Sequence, residues 1–82
     1  MTTHNLKIMK EFADAVYNGL KTFEIRRDDR GYKPGQHITF RVIEDLKEID
    51  HPLNNTRWVI TYILSSPYLA EGHVALAIRR VL

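Results

Sequence analysis

The chain has 82 residues, with 12 lysines and arginines against 10 aspartates and glutamates, for a formal charge of +2. That length supports one domain, residues 1–82, and a hydrophobic content of 44% excludes a disordered chain. So small a net charge means that any polyanion site must be local, and the lack of cysteine excludes disulfides, thiolate metal centres and cysteine nucleophiles.

Residues 4–8, "HNLKI", alternate as a short strand, with Leu6 and Ile8 on one face and Lys7 on the other. From Met9 the period lengthens. Met9, Phe12, Ala13, Val16 and Leu20 fall on one side of a helix of about three turns, with Lys10, Glu11, Asp14 and Asn18 on the wet side. Asn18-Gly19 is the expected stop, because both residues tolerate a left-handed backbone. "KTFEIRR" then alternates with period two, which predicts Phe23 and Ile25 on a buried face and Thr22, Glu24 and Arg26 on the opposite one. "RGYKPGQ" carries turn chemistry at Gly31 and Pro34-Gly35. "HITFRVI" is a strand with Ile38, Phe40 and Val42 aligned. Residues 44–56, "EDLKEIDHPLNNT", read as a surface excursion. "TRWVITYILS" is apolar on both faces and hence central, with Trp58 and Tyr62 assigned to the core. "HVALAIRRV" is the last strand, with Val74, Leu76 and Ile78 inward and Arg79 and Arg80 on opposite faces.

One helix early and several strands without helical crossovers exclude a doubly wound parallel sheet. The expected fold is α+β, mainly β: a small closed or partly closed barrel with one main covering helix, since closure removes exposed strand edges. No apolar run approaches the roughly 20 residues of a membrane helix, so a cytoplasmic protein without membrane contact is expected.

The chemistry is concentrated in "GLKTFEIRRDDRGYK", residues 19–33. Lys21 follows the helix stop, a corner that can aim a side chain into a groove. Glu24 and Arg26 stand two apart on one strand face, where they can pair or share a ligand. Arginine offers a planar fork for phosphate or a base edge, and lysine a point charge. Glutamate can accept from an amine or serve as a proton acceptor. The structural alternative is an exposed Glu–Arg pair, which is worth only about 0–1 kcal/mol and needs no function.

Four histidines, His4, His37, His51 and His73, are scattered, with no i, i+4 pair, and do not suggest a zinc site. Ser65 and Ser66 lack the glycines of a nucleophile elbow, and no glycine-rich phosphate loop is present. No cofactor is expected. Tyr32 and Tyr68, in loops, are candidates for stacking bases or for covering the barrel end.

"LKI" near the start, "FADAVYNG", "GLKTFEIRRDDRGYKPGQ", "VITYIL" and "EGHVALAI" together resemble the ASCH domains of the PUA-like superfamily, in particular the small bacterial and phage-associated members. The specific part is G-x-K-T-x-E-x-R, matched at Gly19, Lys21, Thr22, Glu24 and Arg26, with Asp29 and Arg30 beyond it and His4 and Lys7 in the opening strand. Gln36 stands where relatives often carry Asp. The resemblance implies a PUA-like barrel with a cleft between barrel and helix, and a nucleic-acid-binding module, RNA first, or a nucleotide-like ligand. Lys7, Lys21, Thr22, Glu24, Arg26, Arg30, Tyr32 and Tyr68 would contact the ligand. It implies a second reading, a small hydrolase of acylated or modified nucleosides or of RNA, with Lys21 and Glu24 catalytic. There the hydroxyl of the relatives' pattern is displaced, because Glu24 occupies its position and Thr22 directly follows the lysine, while Glu71 is the distal acid by rough position. A third reading is a protein-interaction adaptor.

Overall fold

The structure, a computed structural model, describes residues 1–65 and 67–82. Ser66, weighed above as a nucleophile, lies outside the described residues. The elements in chain order are β1 (Thr3–Met9), α1 (Lys10–Tyr17), β2 (Phe23–Arg27), β3 (His37–Glu44), β4 (Lys47–Glu48), a 3-10 turn (Pro52–Asn55), β5 (Arg57–Leu64) and β6 (His73–Val81). The sheet runs β1-β3-β5-β6-β2, with β4 beside β3. β1 and β3 pair in parallel and the other neighbours are antiparallel. The sheet curls into a half-barrel whose edge strands are β1 and β2, so the fold is mainly β with one helix.

Alternation builds the core. Leu6 and Ile8, Ile38, Phe40 and Val42, Trp58 and Ile60, and Val74, Leu76 and Ile78 point inward from four strands into one cluster. α1 closes it with Ala13 and Val16, both fully buried. The surface excursion expected at 44–56 does more than cover. β3 and β5 share only the pairs His37–Val59 and Ile38–Trp58 before they diverge, and Leu53 from the 3-10 turn fills that opening with no exposed surface. Asn54 substitutes for the missing strand. Its Oδ1 accepts from the Val42 N–H, and its Nδ2 donates to the Ile49 carbonyl. A second chain of bonds, Trp58 Nε1–H to Thr56 Oγ1 and Thr56 hydroxyl to the Leu53 carbonyl, satisfies the buried indole.

Three expectations are corrected. The helix has eight residues, near two turns, so Met9 belongs to β1 and Leu20 lies past the stop; of the five positions expected on its apolar side only Ala13 and Val16 are buried, while Met9, Phe12 and Leu20 are exposed. Gly19, at φ +76, ends it, and the Leu20 and Lys21 N–H groups both turn back to the Ala15 carbonyl. That stop falls where the sequence predicts it. The faces of β2 are inverted: Glu24 is buried at 4% exposure, whereas Phe23 and Ile25 are 45% and 52% exposed. The cause is register. Glu24 lies opposite Leu76 and Arg26 opposite Val74, so both share the inward face of β6. Tyr62 is not core but 64% exposed, because a bulge separates Ile60, opposite Ile78, from Tyr62, opposite Ala77. The extra residue, Thr61, turns every later side chain of β5 to the other face. No helix among the described residues is long and apolar enough to cross a membrane.

Candidate functional site

A pocket of about 570 Å³ opens between the two edge strands of the half-barrel. Lys7, Ile8 and Met9 of β1 form one wall, Phe12 of α1 the end, and Phe23, Ile25 and Arg27 of β2 the other wall. The floor is charged. Glu24 sends Oε1 to Lys21 Nζ at 2.5 Å and Oε2 to Arg26, which donates from Nε at 3.1 Å and from Nη2 at 2.9 Å. A nearly buried carboxylate is expensive unless it is paired and fully hydrogen-bonded, and here both oxygens are taken.

Each cation is held in place. Lys21 leaves the helix stop and donates also to the Phe23 carbonyl at 2.7 Å. Its ammonium lies over the Phe23 ring, 4.9 Å from the centroid, with the Phe12 ring at 5.8 Å, within the range of cation–π attraction. Arg26 crosses the open side of the sheet, where Nη2 donates to the Lys7 carbonyl of β1. Arg30 does the same one step along, from Nη1 to the Asn5 carbonyl at 3.2 Å. Two arginine side chains thus span the gap that no backbone ladder closes. Two cations against one carboxylate leave the floor with one net positive charge. Arg26 Nη1 and the third ammonium hydrogen of Lys21 have no protein acceptor among the described residues.

The structure brings together four of the expected contact residues, Lys7, Lys21, Glu24 and Arg26. Thr22 is exposed but does not line the pocket, and its carbonyl accepts from the Ile78 N–H. Arg30 lies on the outer rim beside Asp29. Tyr32 does not offer a stacking face. It is buried, edge-on to the buried His4 ring at 4.7 Å between centroids, and burial pushes its phenol above the ordinary range. Tyr68 is exposed, but away from the pocket lining, as is Glu71. His4 donates from Nε2 to Gln36 Oε1 at 2.7 Å, and the same oxygen accepts from the Lys33 N–H. Gln36 therefore anchors the turn that an Asp at this place is too short to span in the same way. Among the described residues no three His, Asp or Glu side chains are grouped to hold a metal ion.

Sequence reasoning missed the apolar walls. Phe12, Phe23, Ile25 and Met9 read as core by their spacing, and nothing in a period of two says which face of an edge strand turns inward. A second titratable cluster lies elsewhere, between α1 and the 3-10 turn. His51 accepts at Nδ1 from the Leu53 N–H, so its Nε2–H donates to Asp14 Oδ1 at 2.7 Å. Lys10 pairs with the other Asp14 oxygen at 3.0 Å. The His51 bond, and then the Lys10 bond, hold the Asp14 carboxyl below its ordinary value. This cluster clasps two elements and lies apart from the pocket between β1 and β2.

A family model described as a domain of unknown function, DUF3850, matches residues 3–78. No curated protein matches the chain. Among solved structures, the crystal structure of a hypothetical protein, PH0355, is similar over 98% of this chain and 100% of its own, with a TM-score of 0.65 and 15% identity. That likeness concerns the fold alone.

Proposed function

Because the chain belongs to the DUF3850 family, whose description carries no activity, we propose a function from the site itself: a nucleic-acid-binding module, RNA first, whose pocket between β1 and β2 holds one nucleotide unit. The observation that carries this reading is the floor of that pocket. Lys21 and Arg26 are anchored by one buried carboxylate, keep free donors, and stand beneath apolar and aromatic walls. A flat base fits between such walls, and a phosphate or base edge suits fixed cationic donors. The resemblance to ASCH domains, with a PUA-like barrel and a cytoplasmic setting, belongs to the same proposal and agrees with a half-barrel whose cleft is lined by the G-x-K-T-x-E-x-R strand. In this reading Glu24 positions the two cations. Its Oε2 accepts twice from Arg26 and its Oε1 once from Lys21, so the hydrolase alternative would have to use the one lone pair left on Oε1.

The test is fluorescence anisotropy with labelled single-stranded RNA, duplex RNA and DNA at two salt concentrations, beside Lys21→Ala and the exposed control Lys47→Ala. Loss of one charge-assisted contact, worth about 1.5–3 kcal/mol, predicts binding at least about tenfold weaker for Lys21→Ala and unchanged for Lys47→Ala. A shallow salt dependence is expected, since a net charge of +2 provides few phosphate contacts. No binding of the wild-type protein to any of these polymers at about 50 µM, within the range even of non-specific binders, would sink the reading. Turnover of an acylated nucleoside that is lost in Lys21→Ala would replace it with the hydrolase.

A further inference from the structure

The outer face of the half-barrel presents an apolar patch in register across three strands. Tyr62 of β5, Ala77 of β6 and Phe23 of β2 form one row. Leu64, Ala75 and Ile25 form the next. Directly opposed residues share a face, so the two alanines make a shallow trough between ridges of larger side chains. Neighbouring strands are about 4.8 Å apart, which sets the Tyr62 and Phe23 backbones about 10 Å apart across β6. Apart from the Lys21 ammonium over the Phe23 ring, these rows are open: Tyr62, Phe23, Ile25 and Leu64 are all exposed.

The charge on that face is one-sided. Following the register outward from β1, the outward positions carry Lys7, Arg41, Arg57, Arg79 and Arg27, together with His37 and His73. No outward position on β1, β2, β3, β5 or β6 is an Asp or Glu. The acid on this side, Glu48 of β4, is paired with Arg41 at 3.5 Å. Further acids stand in the turns past the Arg27–His73 row, at Asp28, Asp29 and Glu71. In a chain with nearly balanced charge this is segregation rather than composition. It also selects the occupant. A second copy of the chain laid face to face would bring cations against cations, whereas a polyanion with flat apolar groups meets both the rim and the trough.

We propose that this face is a stacking platform for a single-stranded nucleic acid. Bases lie on Tyr62 and Phe23 over the alanine trough, and phosphates are met by Arg79 at one end and Arg27 at the other. The inference rests on the nucleic-acid reading above and extends it: Phe23 and Arg27 belong to both surfaces, so a strand seated in the pocket continues onto the platform.

The test separates the two surfaces through Tyr62 and Arg79, which do not line the pocket. Anisotropy is measured with a single-stranded RNA of about 12 nucleotides, enough to cover a platform of this kind, with the same sequence as single-stranded DNA and as duplex RNA, and with a labelled mononucleotide. The variants are Tyr62→Ala, Tyr62→Phe, Arg79→Glu and Lys21→Ala, with thermal melting to confirm folding. Loss of one stacking ring is expected to weaken the single strand roughly 5- to 100-fold in Tyr62→Ala, with Tyr62→Phe near wild type. Arg79→Glu is expected to weaken it and to flatten the salt dependence, since one phosphate contact contributes about 0.7 to the slope for a single strand. Mononucleotide binding should respond to Lys21→Ala and not to Tyr62→Ala. Equal effects on RNA and DNA support the platform, because stacking does not read the 2′-hydroxyl. Oligonucleotide binding that falls in Lys21→Ala but is unchanged in Tyr62→Ala and Arg79→Glu overturns the platform and leaves the pocket standing. The reverse pattern supports the platform and removes the pocket. Duplex RNA bound as tightly as the single strand, or a dimer in sedimentation that dissociates in Tyr62→Ala, also overturns the platform.

Discussion

Single residues in this protein are used against their type. Glu24, the residue that a strand pattern places in water, is among the most buried polar groups, and it is tolerable there because Lys21 and Arg26 occupy both of its oxygens. Tyr32, which a loop position suggests for stacking, is instead a core residue beside His4. Its burial has a measurable consequence. The folded protein holds the phenol proton to higher pH than the unfolded chain, with Arg30 and Arg26 opposing the effect only in part. Because the native state then binds more protons, stability falls as pH rises past the ordinary tyrosine value of 10.0. Tyr32→Phe should remove this loss. Melting temperatures followed through the alkaline range should decline more steeply in wild type than in the variant, and parallel curves would show that the ring carries no such linkage.

Elements show how one residue of backbone decides what a whole strand presents. Gly19 ends α1 at positive φ with open space around its α-carbon, so Gly19→Ala meets no clash and suffers only the left-handed backbone. The expected cost is about 1–2 kcal/mol, read as a lower urea midpoint with an unchanged slope. The helix stop was legible from Asn18-Gly19, as were the inward triplets of β3 and β6, because the large apolar side chains of those strands recur on one face while the other carries smaller or polar residues for most of its length. β2 and the second half of β5 were not. In β2 the two faces are Phe23 and Ile25 against Glu24 and Arg26, and hydrophobicity alone chooses the wrong one. In β5 the run is apolar on both faces, so the pattern gives no hint that Thr61 is an extra residue. The same two local inversions that misled the pattern create both the pocket walls and the outer patch.

At the scale of the molecule, the half-barrel stays open between β1 and β2, and side chains rather than a ladder bridge the opening. Arg26 ties Glu24 to the Lys7 carbonyl, so Arg26→Met should cost about 2 kcal/mol in urea unfolding through lost bonds to a charged group. Arg79→Met, on the exposed face, should stay within about 0.5 kcal/mol. Amide exchange along β1 should quicken in the first variant alone, and equal protection in both would mean that the bridge does not hold the edge. The sequence by itself determined the mainly β class, the early helix and its stop, the central place of β5 and the concentration of charge in residues 19–33, because local periodicity and turn chemistry act over a few residues. Only the tertiary structure decided which face of β2 turns inward, where the sheet stays open and which charges meet there. Those outcomes depend on strand register between residues some 50 apart in the chain, such as Glu24 opposite Leu76, and a register shift of one residue exchanges the two faces of a strand without changing its local pattern.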